Sequence, residues 1–534
     1  MRLICLLSLI ATLSGCYQNK TLTQNTLIYC TDSQPTSFNP QISDDIASLD
    51  ATTHQLFSRL VKIDPNTNEF IPDLATSWQQ SEDKLRYRFT LRENVSFHQT
   101  DYFTPSRYFN ADDVLFSFNR MFDHQHPYHI INNKTVNYFY NHPFTELLSS
   151  INKIDDHTVE FVLSKPDVTL LANLAAHYAV IHSAEYAEQL MTQGQPEQID
   201  FKPIGTGPFS FKNYDSNGTI RYQKNQQYWH SLGNIDDLIF FTNPSATKRY
   251  AKLLSGECDA ISYPAASQLE TISQNKNISL NSKSTANISL LAFNTKAEKV
   301  AAPQIRRALA KAIDTETILQ AVYFQSATQT DTLLSKQSWA LKPRFNETLF
   351  NPEQAKKELI TAQYDFSQTL QIVLPDGANV FNPNFHKTAE LVQANLLAIG
   401  VQSKIVSVND NGLQEHLNSG NYDIYLTGIN VHIKDPDSIF RPLLSCHSTP
   451  ETGNTSYWCD AKTQALLDKS LTESNFAQRI RNYYQIQDQI QVQRPYLPIA
   501  HVLRLDAIAK TILNVEVNPL TGINFQNAIK QDLN

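Results

Sequence analysis

The sequence has no long apolar run beyond its first sixteen residues and no excess of basic charge. Its 534 residues include 44 Lys and Arg against 52 Asp and Glu, which gives a formal net charge of −8. A nucleic-acid-binding protein usually presents a basic face, so this balance argues against that class. No segment after residue 16 is apolar for long enough to span a bilayer.

The sequence also lacks the motifs of common enzyme classes. GxSxG, HExxH and the Walker phosphate loop are absent, and no pair of carboxylates lies in an enzyme motif. Residues 204–209, IGTGPF, form a glycine turn that leads into a strand, and no Gly-Lys-Ser/Thr follows them. We therefore expect no catalysis. An exported hydrolase that acts on peptides or glycans stays open as an alternative, which a catalytic constellation would distinguish.

Residues 1–16 are typical of an export signal. Arg2 is the only charge before Cys16, and residues 3–13 are mostly apolar, as in a secretory signal peptide. Residues 13–16, LSGC, resemble a bacterial lipoprotein cleavage box, in which the Cys becomes the lipidated first residue. An ordinary signal peptide that happens to contain a Cys is the alternative. Residues 17–26 are polar and are expected to form a tether between the lipid anchor and the folded part.

Four cysteines remain after the signal and the expected lipidation residue are set aside: Cys30, Cys258, Cys446 and Cys459. An even number of cysteines in an exported protein suggests disulfides, and three pairings are possible. The most economical pairing joins Cys446 to Cys459 across a local loop and Cys30 to Cys258 over long range. A metal site is the competing interpretation, but no pair has the close CxxC spacing that zinc sites favour.

Strand and helix signals alternate along the chain. Alternating apolar residues predict strands at 85–91, 158–163 and 401–408, and capping residues predict helices that begin after Asn110 and Asn351. A further helix is expected from Pro303 to about residue 323. This alternation predicts an α/β layer with much parallel sheet, and the length predicts at least two domains.

Two segments look able to reach a cleft. Residues 422–427 form a strand that is followed by Gly428, where a missing side chain allows close approach of a backbone or a ligand. Such a strand end is a common place for a ligand in an open α/β sheet. Residues 27–30 form another strand, which leads into a turn-rich loop and would place residues 36–38 on a cleft.

Several stretches together resemble the periplasmic solute-binding proteins of peptide ABC transporters, of the dipeptide and oligopeptide class. They cover nearly the whole mature chain in order, and the region around residues 99–114 also resembles the Sap subgroup. Dipeptide-binding and haem-binding relatives are close runners-up. The matching stretches are LATSWQQSEDKLRYRFTLRENVSFH at 74–98, FNADDVLFSFNRM at 109–121, PIGTGPFSF at 203–211, NQQYW at 225–229, RYAKLLSGECDAISYP at 249–264, LAFNTKA at 291–297, IRRALAKAID at 305–314, DPDSIFRPLLSC at 435–446 and YWC at 457–459.

The resemblance implies a two-lobe α/β fold of the periplasmic-binding-protein type, with a hinge of crossing strands. The first lobe would comprise residues 27–285 and 503–534, with an extra subdomain inserted at about 60–200. The second lobe would comprise residues 286–502. The two disulfides of the family fall on Cys30–Cys258 and Cys446–Cys459.

The resemblance fails at the positions that hold a dipeptide's charged ends in the family. The amine-binding Asp, three residues before the Asp-Pro step, is replaced by His432. The carboxylate-binding Arg, three residues before Asn382-Pro383-Asn384, is replaced by Asn379. Because a buried ammonium without a partner costs several kcal/mol, a bare dipeptide gripped at both ends is not expected. A longer peptide, a capped peptide or a flat apolar molecule such as haem fits better.

The resemblance predicts a cleft site built from both lobes. His432 is interpreted as a filler or hydrogen-bonding residue rather than as a haem ligand, because no second axial residue is identifiable. The loop HQHPYH at 124–129 is interpreted as a solvated loop rather than a metal site. The predicted ligand-binding residues are Thr36, Ser37, Phe38, Asn379, Phe381, Gly428, Ile429, Asn430 and His432.

The resemblance implies the substrate-binding subunit of an ABC importer, which captures a peptide and delivers it to a membrane permease. A haem-binding member of the same family is the alternative ligand class. The chain has no ATPase motif, so the expected partners are inner-membrane permease and ATPase subunits, together with a membrane reached through the lipid on Cys16. We expect a periplasmic monomer in a Gram-negative bacterium, with no cofactor and no metal.

Overall fold

The computed structural model describes residues 25–64, 67, 69–131, 134–135, 147–343, 350–377, 379–431 and 433–531. The predicted signal, Cys16 and nearly all of the tether lie outside the described residues, and so does His432. Within the described part, we find no helix that is both long and apolar enough to cross a bilayer.

Strands and helices alternate along most of the chain, which confirms the predicted α/β class. The strands are β1 (Thr26–Thr31), β2 (Val61–Ile63), β3 (Phe70–Pro72), β4 (Ala75–Gln80), β5 (Arg86–Leu91), β6 (Ile130–Ile131), β7 (Lys134–Thr135), β8 (Leu148–Asp155), β9 (Thr158–Leu163), β10 (Phe209–Tyr214), β11 (Thr219–Lys224), β12 (Asp237–Thr242), β13 (Ala260–Ser262), β14 (Ile278–Phe293), β15 (Ala327–Gln329), β16 (Thr369–Pro375), β17 (Gln402–Val408), β18 (Ile424–Ile429), β19 (Tyr496–Ala509), β20 (Ile512–Leu513), β21 (Glu516–Asn518), β22 (Gly522–Asn524) and β23 (Ile529–Lys530). The α-helices are α1 (Ile46–Thr52), α2 (Ala111–Phe122), α3 (Leu170–Leu174), α4 (Ala184–Thr192), α5 (Ala246–Ser255), α6 (Leu269–Gln274), α7 (Pro303–Lys311), α8 (Thr315–Ile318), α9 (Pro352–Thr361), α10 (Phe385–Ala398), α11 (Asp410–Ser419), α12 (Asp437–Leu444), α13 (Ala461–Thr472) and α14 (Phe476–Gln493).

One large mixed sheet runs through the whole fold. Its order is β10-β11-β12-β1-β13-β19-β14-β18-β16-β17, and β15 adds to β19. The long strands β14 and β19 lie in the middle and pair antiparallel, from Ile278 opposite Ala509 to Ala292 opposite Tyr496. The strands β10, β11, β12, β1 and β13 extend the sheet from β19 and belong to the first lobe, whereas β18, β16 and β17 extend it from β14 and belong to the second. The short strand β15, also of the second lobe, pairs with the first half of β19. The predicted two-lobe fold with hinge strands is therefore confirmed.

The region between β2 and β10 has its own antiparallel sheet, with the order β4-β5-β9-β8. In β5 the residues Tyr87, Phe89 and Leu91 are buried while their neighbours are exposed, which is the alternation expected of a strand with one buried face. One hydrophobic cluster around this sheet contains buried residues from Leu60 to Ile204, together with Ile433 of the second lobe. It covers the region predicted as the inserted subdomain. The division into lobes at residues 285/286 and 502/503 stays a prediction, and both positions lie within the hinge strands.

Helix caps place several helices where the sequence predicts them. The Asn110 side chain accepts a hydrogen bond from the Asp112 N–H (3.0 Å), and the Asp113 carboxylate accepts one from the Asn110 N–H (3.0 Å). These two bonds satisfy N–H groups that have no partner within the helix. The continuous helix predicted from Pro303 to about 323 is wrong, because the chain ends α7 at Lys311 and starts α8 anew, with Asp314 as its cap.

Both disulfides are present, with the pairing that the resemblance implied. Cys30 of β1 is bonded to Cys258, which precedes β13, so the bridge ties two neighbouring strands of the first lobe. Cys446 follows α12 and is bonded to Cys459, which precedes α13. The second bridge closes a local loop at the end of α12.

A buried charge network anchors β19 in the first lobe. The Arg504 guanidinium donates to both carboxylate oxygens of Asp50 in α1 (2.8 Å each) and to Asp506 (2.9 Å). The Tyr29 hydroxyl of β1 donates to Asp506 (3.0 Å). Arg504, Asp50 and Asp506 are almost completely buried, so each charge depends on the others for compensation.

We expect Asp50→Asn to lower the free energy of unfolding by about 3 kcal/mol or more, because removing one partner leaves a buried charge uncompensated. The matched control is Asp156→Asn, which removes an exposed partner of Lys153 and should leave stability nearly unchanged. Urea unfolding of both variants measures the difference. Equal, small effects would contradict the inferred role of the Arg504 network.

Candidate ligand-binding site

A cavity of about 490 Å³ lies between the two lobes. Arg59, Lys62 and Asp73 line it from the first lobe, together with residues 516–521 near the chain end. Ser335 and residues 337–339 and 433–436 line it from the second lobe. Lys283 and Ser284 of the hinge strand β14 complete the wall. Both lobes therefore contribute surface to one cavity beside the hinge, in the volume range of small-molecule sites.

Charged groups are concentrated on the first-lobe wall. The Arg59 backbone N–H donates to Asp73 Oδ2 (2.9 Å), and Lys62 Nζ lies 4.0 Å from Asp73 Oδ1. The Arg59 side chain is 5% exposed, and its Nε and Nη1 atoms have no hydrogen-bond partner among the described residues. Burial lowers the pKa of Arg59, while the charges of Asp73 and Glu516 act in the opposite direction. Burial also raises the pKa of the Glu516 carboxyl.

Two histidines also reach the cavity from the first lobe. His54 Nε2 lies 2.7 Å from the hydroxyl of Thr521, and burial holds the pKa of His54 well below its usual value, with a further contribution from Arg59. His54 is therefore neutral at pH 7. His230 is more exposed, and burial lowers its pKa as well.

An ion pair fixes the second-lobe wall. Arg479 of α14 donates to both carboxylate oxygens of Asp435 (2.7 and 2.8 Å), and both side chains are buried. The Trp339 ring lies 5.2 Å from the Arg479 guanidinium and packs against Phe476 at 4.8 Å between ring centroids. Trp339 is only partly buried, so it offers aromatic surface to the cavity.

The lobes touch each other beside the cavity. The Val168 N–H donates to the Leu471 carbonyl oxygen (2.9 Å), and Lys84 Nζ donates to Ser474 Oγ (2.6 Å). Burial raises the pKa of Asp167 to about 6, and the second-lobe carboxylates Asp437 and Asp435 add to this increase. The two lobes are thus in direct contact, and carboxyl groups of the two lobes approach one another.

The predicted first-lobe site residues form an internally bonded turn. The Thr36 hydroxyl donates to Asp45 (2.5 Å), and Ser37 is buried. Phe38 is 3% exposed and packs against Phe211 at 4.9 Å between ring centroids. In the described part of the chain, residues 36–38 are not among those that line the cavity. Their ligand-binding role stays a prediction.

The structure brings Phe381 and Gly428 into direct contact. A Cβ placed on Gly428 would lie 2.1 Å from Phe381 Cδ2, so only glycine leaves room for this ring. Asn379 is exposed, and its side-chain oxygen accepts hydrogen bonds from the N–H groups of Phe381 (3.1 Å) and Asn382 (2.9 Å). Asn379 therefore holds its own turn.

The segment after Gly428 packs against the second lobe and reaches the cavity at Val431. Ile429 packs against the hydrophobic cluster of the second lobe, and the side-chain oxygen of Asn430 is buried without a hydrogen-bond partner among the described residues. Val431 lines the cavity, and its N–H donates to the Asn287 side chain (2.9 Å). The ligand contacts proposed for residues 428–430 stay predictions.

Sequence reasoning missed Arg59, Trp339 and the hairpin of β21 and β22. A signal existed for Arg59, because it stands within the apolar run LFSRLV, where an arginine is rarely buried without a partner. No local signal marked the hairpin, since it reaches the cavity only through long-range packing. The histidines at 124 and 129, considered for a metal, hydrogen-bond to each other through ring nitrogens 3.0 Å apart.

Two α/β lobes that share hinge strands and close over a cavity define a solute-binding protein. The chain belongs to the family described as bacterial extracellular solute-binding proteins, family 5, whose middle-region model matches residues 69–451.

Individual relatives agree with this assignment. The chain is 36% identical over 504 residues to the peptide transport periplasmic protein SapA of Salmonella typhimurium, covering 94% of this chain and 92% of the relative. It is 34% identical over 482 residues to heme-binding protein A of Haemophilus influenzae, covering 90% and 88%. The crystal structure of a dipeptide-binding protein from Pseudoalteromonas sp. SM9913 in complex with Met-Leu superposes with a TM-score of 0.83 at 37% identity, covering 95% of this chain and all of that one.

We expect Gly428→Ala to lower the free energy of unfolding by about 1–3 kcal/mol, because the new methyl group overlaps the Phe381 ring. In a Phe381→Ala background the cost should shrink, although contact with the Ile288 carbonyl oxygen (2.6 Å) remains. Gly412→Ala is the control, since its nearest neighbour lies at 3.5 Å. Chemical denaturation of the double-mutant cycle measures the coupling, and a cost equal to that of Gly412→Ala would contradict the inferred contact.

Proposed function

We propose that this protein captures a peptide in the periplasm and delivers it to the permease of an ABC importer. The observation that carries this proposal is the cavity that both lobes line at the hinge. A ligand that contacts both walls stabilises the closed arrangement by its differential affinity for it. A membrane permease can then recognise the closed, loaded protein.

A peptide is the ligand that the chemistry of the walls favours. The first-lobe wall offers cations and carboxyl groups, and the second-lobe wall offers the aromatic surface of Trp339. Peptides present charged ends, backbone polar groups and variable side chains, which this mixture accommodates. SapA and the Pseudoalteromonas protein, which are similar over most of the chain, are described as peptide transport and dipeptide-binding proteins.

Haem is the second candidate ligand. One relative is described as a heme-binding protein, and His54 and His230 both line the cavity. His54 is engaged by Thr521, which leaves His230 as the more accessible imidazole. We favour the peptide for two reasons. His54 could bind haem iron only by giving up its hydrogen bond to Thr521, and the exposed His230 stands near the cavity rim.

The remaining parts of the proposal follow from this role. The protein binds rather than transforms its ligand, and it acts as a monomer with a permease and an ATPase as partners. Residues 1–16 direct export, and Cys16 carries the lipid that holds the protein at a membrane.

Calorimetry tests the ligand class with Met-Leu, tetra-alanine and haem. We expect tetra-alanine to bind more tightly than Met-Leu. The reason is that the Asp and the Arg with which the family binds the two charged ends of a dipeptide are replaced by His432 and Asn379. Binding should also reduce the radius of gyration measured by X-ray scattering, if the free protein opens at the hinge. Saturable binding of haem, with no binding of either peptide, would contradict peptide capture and support haem as the ligand.

Cell fractionation tests the anchor. We expect Cys16→Ser to move the protein from the membrane fraction to the soluble fraction, because the thiol that would carry the lipid is gone. Mass spectrometry of the wild-type amino terminus should show acyl chains on Cys16. An unmodified amino terminus on a soluble wild-type protein would contradict the proposal.

A further inference from the structure

The inference concerns a buried guanidinium on the first-lobe wall of the cavity. Arg59 is 5% exposed, and its Nε and Nη1 have no hydrogen-bond partner among the described residues. A buried donor without a partner costs free energy, and a charged donor costs more than a neutral one. The Arg59 side chain therefore lacks, among the described residues, a partner that its chemistry requires.

The neighbouring acids do not supply that partner. Asp73 directs Oδ2 to the backbone N–H of Arg59 (2.9 Å), and its Oδ1 lies 4.0 Å from Lys62. Glu516 contributes a favourable charge, but burial raises the pKa of its carboxyl and so disfavours the ionised form. Among the ion pairs within 4 Å that the described residues form, none includes the Arg59 side chain.

Two other buried arginines of the fold, Arg504 and Arg479, show what a carboxylate partner looks like. Arg504 binds both oxygens of Asp50 at 2.8 Å, and Arg479 binds both oxygens of Asp435 at 2.7 and 2.8 Å. Both make the two parallel bonds that a planar guanidinium forms best with a carboxylate. Arg59 differs from both in that it lacks this contact and lines the cavity.

We propose that Arg59 binds a carboxylate of the ligand, and that this carboxylate is the carboxyl terminus of the captured peptide. This subsite rests on the proposed function, since it assumes a ligand in the cavity between the lobes. Lys62, which lines the same wall, adds positive charge beside it. Asn379 does not compete for this role, because it is neutral and its side-chain oxygen caps its own turn.

The test compares peptides that differ only at the carboxyl terminus. Calorimetry with tetra-alanine and tetra-alanine amide should show at least a tenfold preference of the wild type for the free acid. In Arg59→Gln that preference should fall to twofold or less, through loss of affinity for the acid. Arg59→Lys should retain part of the preference for the free acid, because the lysine ammonium keeps the positive charge but cannot form the two parallel hydrogen bonds of a guanidinium. The matched control Arg88→Gln, which removes an exposed pair with Glu160, should keep the full preference.

A second measurement separates a ligand-binding role from a structural one. Without ligand, Arg59→Met should unfold at the same temperature as the wild type or higher, because it removes a buried charge that lacks a partner. A marked loss of stability in the ligand-free variant would show that Arg59 holds the wall together, and would overturn the proposal.

The outcomes also separate this subsite from the proposed function. Binding of acid and amide with equal affinity by the wild type would overturn the subsite and leave peptide capture standing. An equal acid preference in the wild type and Arg59→Gln would do the same. Binding of neither peptide would overturn both. The same titration with haem and with haem dimethyl ester tests whether the carboxylate that Arg59 binds is a haem propionate. A preference for the free acid that is seen only with haem would contradict the proposal that Arg59 binds the carboxyl terminus of a peptide.

Discussion

The antiparallel pairing of β14 with β19 is the constraint on which the rest of the structure depends. These two strands run through both lobes, and every other strand of the large sheet is added on one side of them or the other. The register of this pair shifts between Ser284 and Ile288. Within this irregular stretch the Thr285 hydroxyl donates a hydrogen bond to the Val502 carbonyl oxygen (2.7 Å). The side chain of Asn287 then accepts the Val431 N–H. An irregularity in the hinge is thereby connected directly to the cavity wall.

Compensation of buried charge explains how the two walls keep their shape. Arg504 fixes β19 against α1 through Asp50, and Arg479 fixes the loop that contains Asp435. Such pairs contribute little net stability against apolar replacements, but losing one partner is costly, so they hold the local geometry. Arg59 stands on a wall that is otherwise held by satisfied groups. Its incomplete compensation is consistent with a site that trades stability for recognition.

Local chemistry allowed much of the fold to be predicted, because caps and alternation act over a few residues. Strand β9 and the cap at Asn110 lie where the sequence predicts them. The hinge strand β14 begins at Ile278, and its first half is largely polar, so that half is recognised as strand only through its pairing with β19. Phe38 is buried against Phe211, and a turn-rich loop does not reveal from sequence which way its aromatic side chain points.

The cavity could not be predicted because its walls come from distant parts of the sequence. Arg59, Trp339 and Glu516 meet only after both lobes have folded and the hinge strands have brought them together. The family resemblance predicts ligand contacts around Gly428, and in the structure the Phe381 ring packs onto that glycine. Specificity at such a site therefore depends on which side chains the hinge brings together. The two family positions that bind a dipeptide's charged ends, here His432 and Asn379, describe only the second-lobe wall. A ligand that joins the charged first wall to the aromatic second wall gains affinity only in the closed arrangement, which couples recognition to closure.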